Sequence, residues 1–76
     1  MILTVLAFAQ SQDLFGFTRR EVAVAPEDTP RGVLLRLQPG ADLSHLRVAL
    51  DCEFADWDLP LGSARELAIL PPVSGG

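Results

Sequence analysis

Residues 71–76 of the chain read Pro-Pro-Val-Ser-Gly-Gly, and they carry its most specific chemistry. The carboxylate of Gly76 has no side chain crowding it. Gly75 and Gly76 can pass a channel too narrow for a β-carbon. Such a carboxylate can attack the α-phosphate of ATP held by another enzyme. The acyl-adenylate that results is open to a sulfur or nitrogen nucleophile. Proline cannot donate to a strand ladder, so Pro71 and Pro72 end pairing and project the chain in an extended form. Val73 is one apolar handle, and Ser74 adds little bulk. A frayed end is the plain reading of a bare Gly-Gly. A stiff Pro-Pro-Val directly behind an apolar strand favours function.

Other reactive residue types read as structural. Cys52 is the only cysteine, so no internal disulfide forms. It lies between Asp51 and Glu53, and an anionic sulfur between two carboxylates is electrostatically unfavourable, so an inert thiol is expected. His45 sits in a polar loop with Asp42 and Ser44; sequence neighbours rarely adopt triad geometry, and a solvated loop is expected. One cysteine and one histidine do not make a metal site. Glu27 and Asp28 read as helix-cap charge rather than a metal pair. Trp57, between Asp56 and Asp58, is expected to cap the edge of the core rather than anchor a partner. Arg19 and Arg20 lie on a strand with one side chain on each face, so they do not form one patch.

The elements that must position the tail follow from patterning. Residues 1–9 are almost wholly apolar, as in a strand covered on both faces or lying at a sheet centre. A short helical turn can run to Phe15, with Gly16 as a left-handed stop. Residues 18–24 alternate polar and apolar, which suits an antiparallel partner of the first strand. Asp28 or Thr29 can cap a helix that has Pro30 at its first position and Val33, Leu34 and Leu37 on its apolar face. Gln38-Pro39-Gly40 ends it. Residues 46–50 form a strand with a turn near Asp51. Leu59 and Leu61 anchor the segment that follows, and residues 66–71 form a last, continuously apolar strand. Two such strands at opposite ends of the chain belong side by side at the sheet centre. The order β-β-α-β-β, with first and last strands parallel, is an α+β roll with one main helix on one face of a mixed sheet. This is the β-grasp of ubiquitin-like proteins, expected over residues 1–71, with 72–76 as a flexible extended tail.

Composition bounds the partners. The chain has 76 residues, ten acids against six bases and a net charge of −4. Its arginines are scattered, so nucleic-acid binding is not expected. Lysine is absent, so the chain cannot build lysine-linked chains on itself. The N-terminal apolar run lacks a basic start and is too short to span a membrane, and a lone thiol fits a reducing compartment; a cytoplasmic protein is expected. The hydrophobic fraction of 49% and mean hydropathy of +0.28 are high for a small domain, suggesting apolar surface kept for a partner.

Three stretches carry a resemblance. "ILTVLAFAQSQDLFG" is similar to the opening strand and "FA-x-x-R-E-x-x-G" turn of the small subunit of molybdopterin synthase. That subunit is the ubiquitin-like sulfur carrier of the MoaD/ThiS superfamily. "VALDCEFADWDLPL" resembles that family's "ALN-x-E" segment, and "ELAILPPVSGG" resembles its ending nearly residue for residue. The departures are Gln12 and Asp13 for the family's arginine and glutamate, Asp51 for its asparagine, and Ala64-Arg65-Glu66 for a "GDE" turn, with Gly62 nearby. The resemblance implies a cycle. An adenylating (E1-like) enzyme activates Gly76 with ATP, and a sulfurtransferase system converts it to a thiocarboxylate. The tail then enters the synthase large subunit and delivers sulfur to a cyclic pyranopterin precursor. It implies no permanently bound cofactor, and a small subunit that carries sulfur while its partners supply the acid and base groups. By the same resemblance Val73, Ser74 and Gly75 line the partners' channels, Pro72 continues the tail, and Phe8, Leu70 and Pro71 belong to an apolar docking surface. The alternatives are a related carrier for thiamine or tRNA thiolation, a ubiquitin-like modifier joined to amines through Gly76, and an interaction module with an inert tail.

Overall fold

The computed structural model of the chain describes residues 1–71. Five strands form one sheet: β1 (Ile2–Ala7), β2 (Arg19–Ala23), β3 (Arg47–Leu50), β4 (Glu53–Ala55) and β5 (Glu66–Leu70). Helix α1 (Gln10–Phe15) follows β1, and α2 (Pro30–Leu37) follows β2. The strand order is β2-β1-β5-β3-β4. β1 and β5 are parallel neighbours at the centre, with Thr4 opposite Glu66 and Ala7 opposite Ile69. β2 pairs antiparallel with β1, and β3 antiparallel with β5. This is the expected β-grasp roll.

Alternation along the central strands sends one set of side chains into a single core. Leu3 and Val5 of β1, Leu67 and Ile69 of β5, Val48 of β3 and Val33 and Leu34 of α2 are buried together. Each such side chain, fully removed from water, stabilises the fold by about 1.5–3 kcal/mol. Helix α2 starts where expected. Thr29 is its N-cap, its Oγ1 accepts from the Gly32 amide at 3.1 Å, and Pro30 opens the first turn. The cap satisfies one of the four amide donors a helix start leaves free. Asp28 acts one residue earlier: its carboxylate accepts from the Ala25 amide at 2.8 Å and lies 3.3 Å from Arg36.

The first strand lies at the sheet centre, as expected, with one face buried in the core; Ile2, Thr4 and Leu6 alternate with its buried residues and stay partly or fully open. Two expectations need correction. A fifth strand, β4, was not expected. Asp51 and Cys52, with φ of 48° and 70°, make a two-residue turn that brings Glu53 back beside Leu50. Leu59 does not anchor the connecting segment: it is 47% exposed, whereas Leu61 is buried. Trp57 does cap the core edge, half-buried against it, with the Arg31 guanidinium 5.9 Å from its ring centroid.

Candidate functional site

The site begins where β1 and β5 end together. Parallel pairing of Ala7 with Ile69 sets Phe8 beside Leu70 at the same end of the sheet. The Phe8 amide donates to the Ile69 carbonyl at 3.2 Å. Phe8 is 44% exposed, and Leu70 and Pro71 are half-buried. Three of the expected docking residues are therefore brought to one place, at the root of the tail. Pro72, Val73, Ser74, Gly75 and Gly76 lie outside the described residues.

Helix α1 holds this root. Ser11 is 1% exposed, and its Oγ accepts from the Phe8 amide at 2.8 Å and faces the carbonyls of Phe8 and, at 3.3 Å, Ile69. One hydroxyl thus ties α1 to the ends of both central strands. Gln12 adds a second tie, its Nε2 donating to the Ala7 carbonyl at 3.1 Å. Ala9 enters the helix with φ of 52° and ψ of −129°, a sparsely populated conformation that costs an L-residue about 1–3 kcal/mol, and Gly16 leaves it in the left-handed region. The sequence marked this turn through Phe8-Ala9 and Gly16. It gave no signal for Ser11, because a serine in a polar stretch looks solvated until the fold buries it.

The sheet face opposite α2 continues the site. Pairing register places Leu6, Ala68, Ala49 and Phe54 in one row across β1, β5, β3 and β4. Phe54 is 72% exposed. Above this row, toward the tail, are Phe8, Leu70 and Arg47; below it are Thr4, Glu66 and, by continuation of β3, Asp51. The Arg19–Glu21 pair, 3.6 Å apart, flanks the face on β2. The arrangement is an apolar band that leads to the tail root, with charge only at its margins. Asp51 also closes the far end: its Oδ1 accepts from the amides of Arg65 and Glu66, both at 3.0 Å. An aspartate in the place of the resembled asparagine therefore keeps an acceptor oxygen there.

The remaining charged groups are structural. Arg31 meets Asp58 through two hydrogen bonds, at 2.9 and 3.3 Å, which raise its pKa and hold the Asp58 carboxyl below its ordinary value. The Asp28 carboxyl is lowered by the Ala25 amide first and Arg36 second, and that of Asp42 by the Ser44 hydroxyl and amide. Cys52 is exposed in the β3–β4 turn, and His45 is exposed in its loop. Among the described residues no group of three or more histidine, cysteine, aspartate or glutamate side chains is placed to hold a metal, and no helix is long and apolar enough to cross a membrane.

Fold and tail root together define a ubiquitin-like sulfur-carrier fold of the MoaD/ThiS type. The chain belongs to the ThiS family, whose model matches residues 5–76. Among solved structures it is similar to SAMP1 from Haloferax volcanii, at 25% identity and a TM-score of 0.76 over 100% of both chains. A second structure, of small archaeal modifier protein 1 from the same organism, matches at 22% identity and a TM-score of 0.74, covering 95% of this chain and 98% of that one. A protein described as molybdopterin converting factor, subunit 1, from Pyrococcus furiosus shares the fold at 19% identity and a TM-score of 0.74. That match covers 96% of this chain and 99% of the other.

Proposed function

We propose that the protein carries sulfur on Gly76 for molybdopterin synthesis. The Gly76 carboxylate attacks ATP on an E1-like enzyme, releasing pyrophosphate and leaving an acyl-adenylate. A sulfur nucleophile supplied by a sulfurtransferase displaces AMP, giving a thiocarboxylate. The tail then enters the synthase large subunit, where the sulfur passes to a cyclic pyranopterin and water restores the carboxylate. ATP serves the activating enzyme and is not a resident cofactor. Gly75, Ser74, Val73 and Pro72 occupy the partners' channels, while Phe8, Leu70 and Pro71 seat the carrier on each partner in turn, in the cytoplasm. The observation that supports this best is the apolar face that runs without interruption into the root of a Gly-Gly tail.

The test is chemical. Cys52→Ser protein from its native cells is treated with a thiol alkylator, and the C-terminal peptide is examined by mass spectrometry. Label on that peptide, lost when Gly76 is deleted, is the expected result. No label, even after incubation with an activating enzyme, ATP and a sulfur donor, refutes the carrier reading.

A second reading is supported by the likeness to small archaeal modifier protein 1 along the whole chain. In this reading the acyl-adenylate leads to an amide with a lysine of a target protein. Higher-mass conjugates that vanish on deleting Gly76 would establish it. The same family membership is compatible with a carrier that feeds thiamine or tRNA thiolation, and binding to a synthase large subunit separates those from the leading reading.

A further inference from the structure

The geometry points to the free edge of β4 as a docking site for an extended, basic segment of a partner protein, added to the sheet as one more strand. β4 is the last strand in the order β2-β1-β5-β3-β4, and among the described residues nothing pairs with its outer side. Register says which backbone groups face outward. Asp51 donates its amide to the Glu66 carbonyl at 3.0 Å, so Asp51, Ala49 and Arg47 bond to β5. Leu50 and Val48 then bond to Glu53 and Ala55 of β4. Between those two, Phe54 turns its N–H and C=O to the free side.

Side chains frame that edge on both faces. A groove of about 400 Å³ lies along it, with Phe54, Leu46, Trp57 and Leu59 among its walls. Phe54 stands on the open side of the sheet, while Leu46 and Trp57 pack against the core from the other side. An added strand sends successive side chains to opposite faces, so it meets Phe54 with one set and Trp57 with the next.

Charge selects the occupant. Glu53 and Asp56 lie on either side of Phe54, and among the described residues neither has a basic side chain within ion-pair distance. Asp58, beyond them, is already met by Arg31. Arg47, which also lines the groove, belongs to β3 and so lies behind β4. A second copy of the chain would bring the same acids against Glu53 and Asp56, so the edge repels its own kind. A segment alternating basic and apolar residues answers both the acids and the groove. Main-chain bonding is centred on Phe54 alone, so the contact is weak and exchanges rapidly. β3 separates β4 from β5, so a segment held here leaves Phe8 and Leu70 free, and the chain can be held while its tail root engages another surface.

The probe is a capped peptide of alternating valines and arginines, titrated to millimolar concentration into the isotope-labelled whole chain at low salt and followed by NMR. The expected result is a shift of the Phe54 and Asp56 amides and of the indole of Trp57, the only tryptophan, fading as salt is raised. A peptide of alternating valines and glutamates should leave those signals in place. Glu53→Arg combined with Asp56→Arg should weaken the arginine peptide by about tenfold and let the glutamate peptide bind, which no misfolded variant would do. The arginine peptide methylated at its four central backbone nitrogens has no donor for the Phe54 carbonyl and should shift nothing. Signals that stay still with the arginine peptide overturn the proposal. So does an equal response to the methylated peptide. None of these results bears on the labelling of Gly76, so the two readings fail separately.

Discussion

Replacing Ser11 with alanine should loosen the tail root at a modest cost to the fold. The Ser11 hydroxyl is buried and serves Phe8 and Ile69. Its removal does not strand the groups it served. The Phe8 amide keeps the Ile69 carbonyl at 3.2 Å, and the Phe8 carbonyl keeps the Ser11 amide at 3.1 Å. The loss is therefore that of ordinary hydrogen bonds, about 1–2 kcal/mol, not the larger penalty of a buried orphan. Alanine returns about 0.5 kcal/mol as the better helix former. The net cost is about 1 kcal/mol, which for a domain of this size lowers Tm by about 4–8 °C. Thermal unfolding followed by circular dichroism measures that shift. Native-state hydrogen exchange of the Phe8 amide measures the local effect, and it should speed up by more than the global destabilisation accounts for. An unchanged Tm, or exchange at Phe8 that merely follows global unfolding, would refute the view that this hydroxyl holds the ends of β1 and β5 together.

Other outcomes follow from single residues. Cys52→Gly should raise the urea midpoint, by about 0.5–1 kcal/mol of stability, because position 52 holds φ at 70° as the second residue of a tight turn; a lower midpoint would mean that the thiol makes a contact worth more than the strain. Thr29→Ala should cost about 1 kcal/mol through loss of the α2 cap, and Thr29→Ser should cost far less, both read by the same denaturation. Asp28, Asp42 and Asp58 have folded pKa values below the unfolded carboxylate value of about 3.9, so the stability they contribute is present above that pH and is lost as pH falls through their lower folded values. Tm should accordingly hold down to about pH 5 and drop below about pH 4, and Asp28→Asn should flatten part of the drop; a Tm that rises on acidification would contradict the assignment.

Much of the fold was legible because its signals are local. Gly16 stops α1 in the left-handed region, as a glycine after a helical turn should. Thr29 and Pro30 announce the start of α2 by residue type alone. The two apolar runs at the chain ends had to be central, because only a central strand buries so much apolar surface with both ladder edges paired. Strand β4 is not legible in the sequence, because its local signals are weak. It has three residues, and its turn uses Asp51 and Cys52 where Asn-Gly would have signalled a hairpin. Leu59 reads as an anchor in the sequence because it is a leucine beside a proline, and only the chain path turns it outward.

Residue type and order alone determined the tail. The proposed carrier chemistry rests on a proline pair followed by small residues and Gly-Gly, and residue type and order suggest it without any fold. Tertiary structure decided what lies beside Leu70 and Pro71 at the end of β5. Phe8 and Leu70 are 62 positions apart in the chain, and only the parallel pairing of β1 with β5 makes them neighbours. The same pairing buries the Ser11 hydroxyl and aligns Leu6, Ala68, Ala49 and Phe54 into one apolar row. Side-chain chemistry is a property of each residue, whereas a surface is a property of register. Register is set by the burial of the opposite face, where Leu3, Val5, Leu67 and Ile69 must all enter the core together.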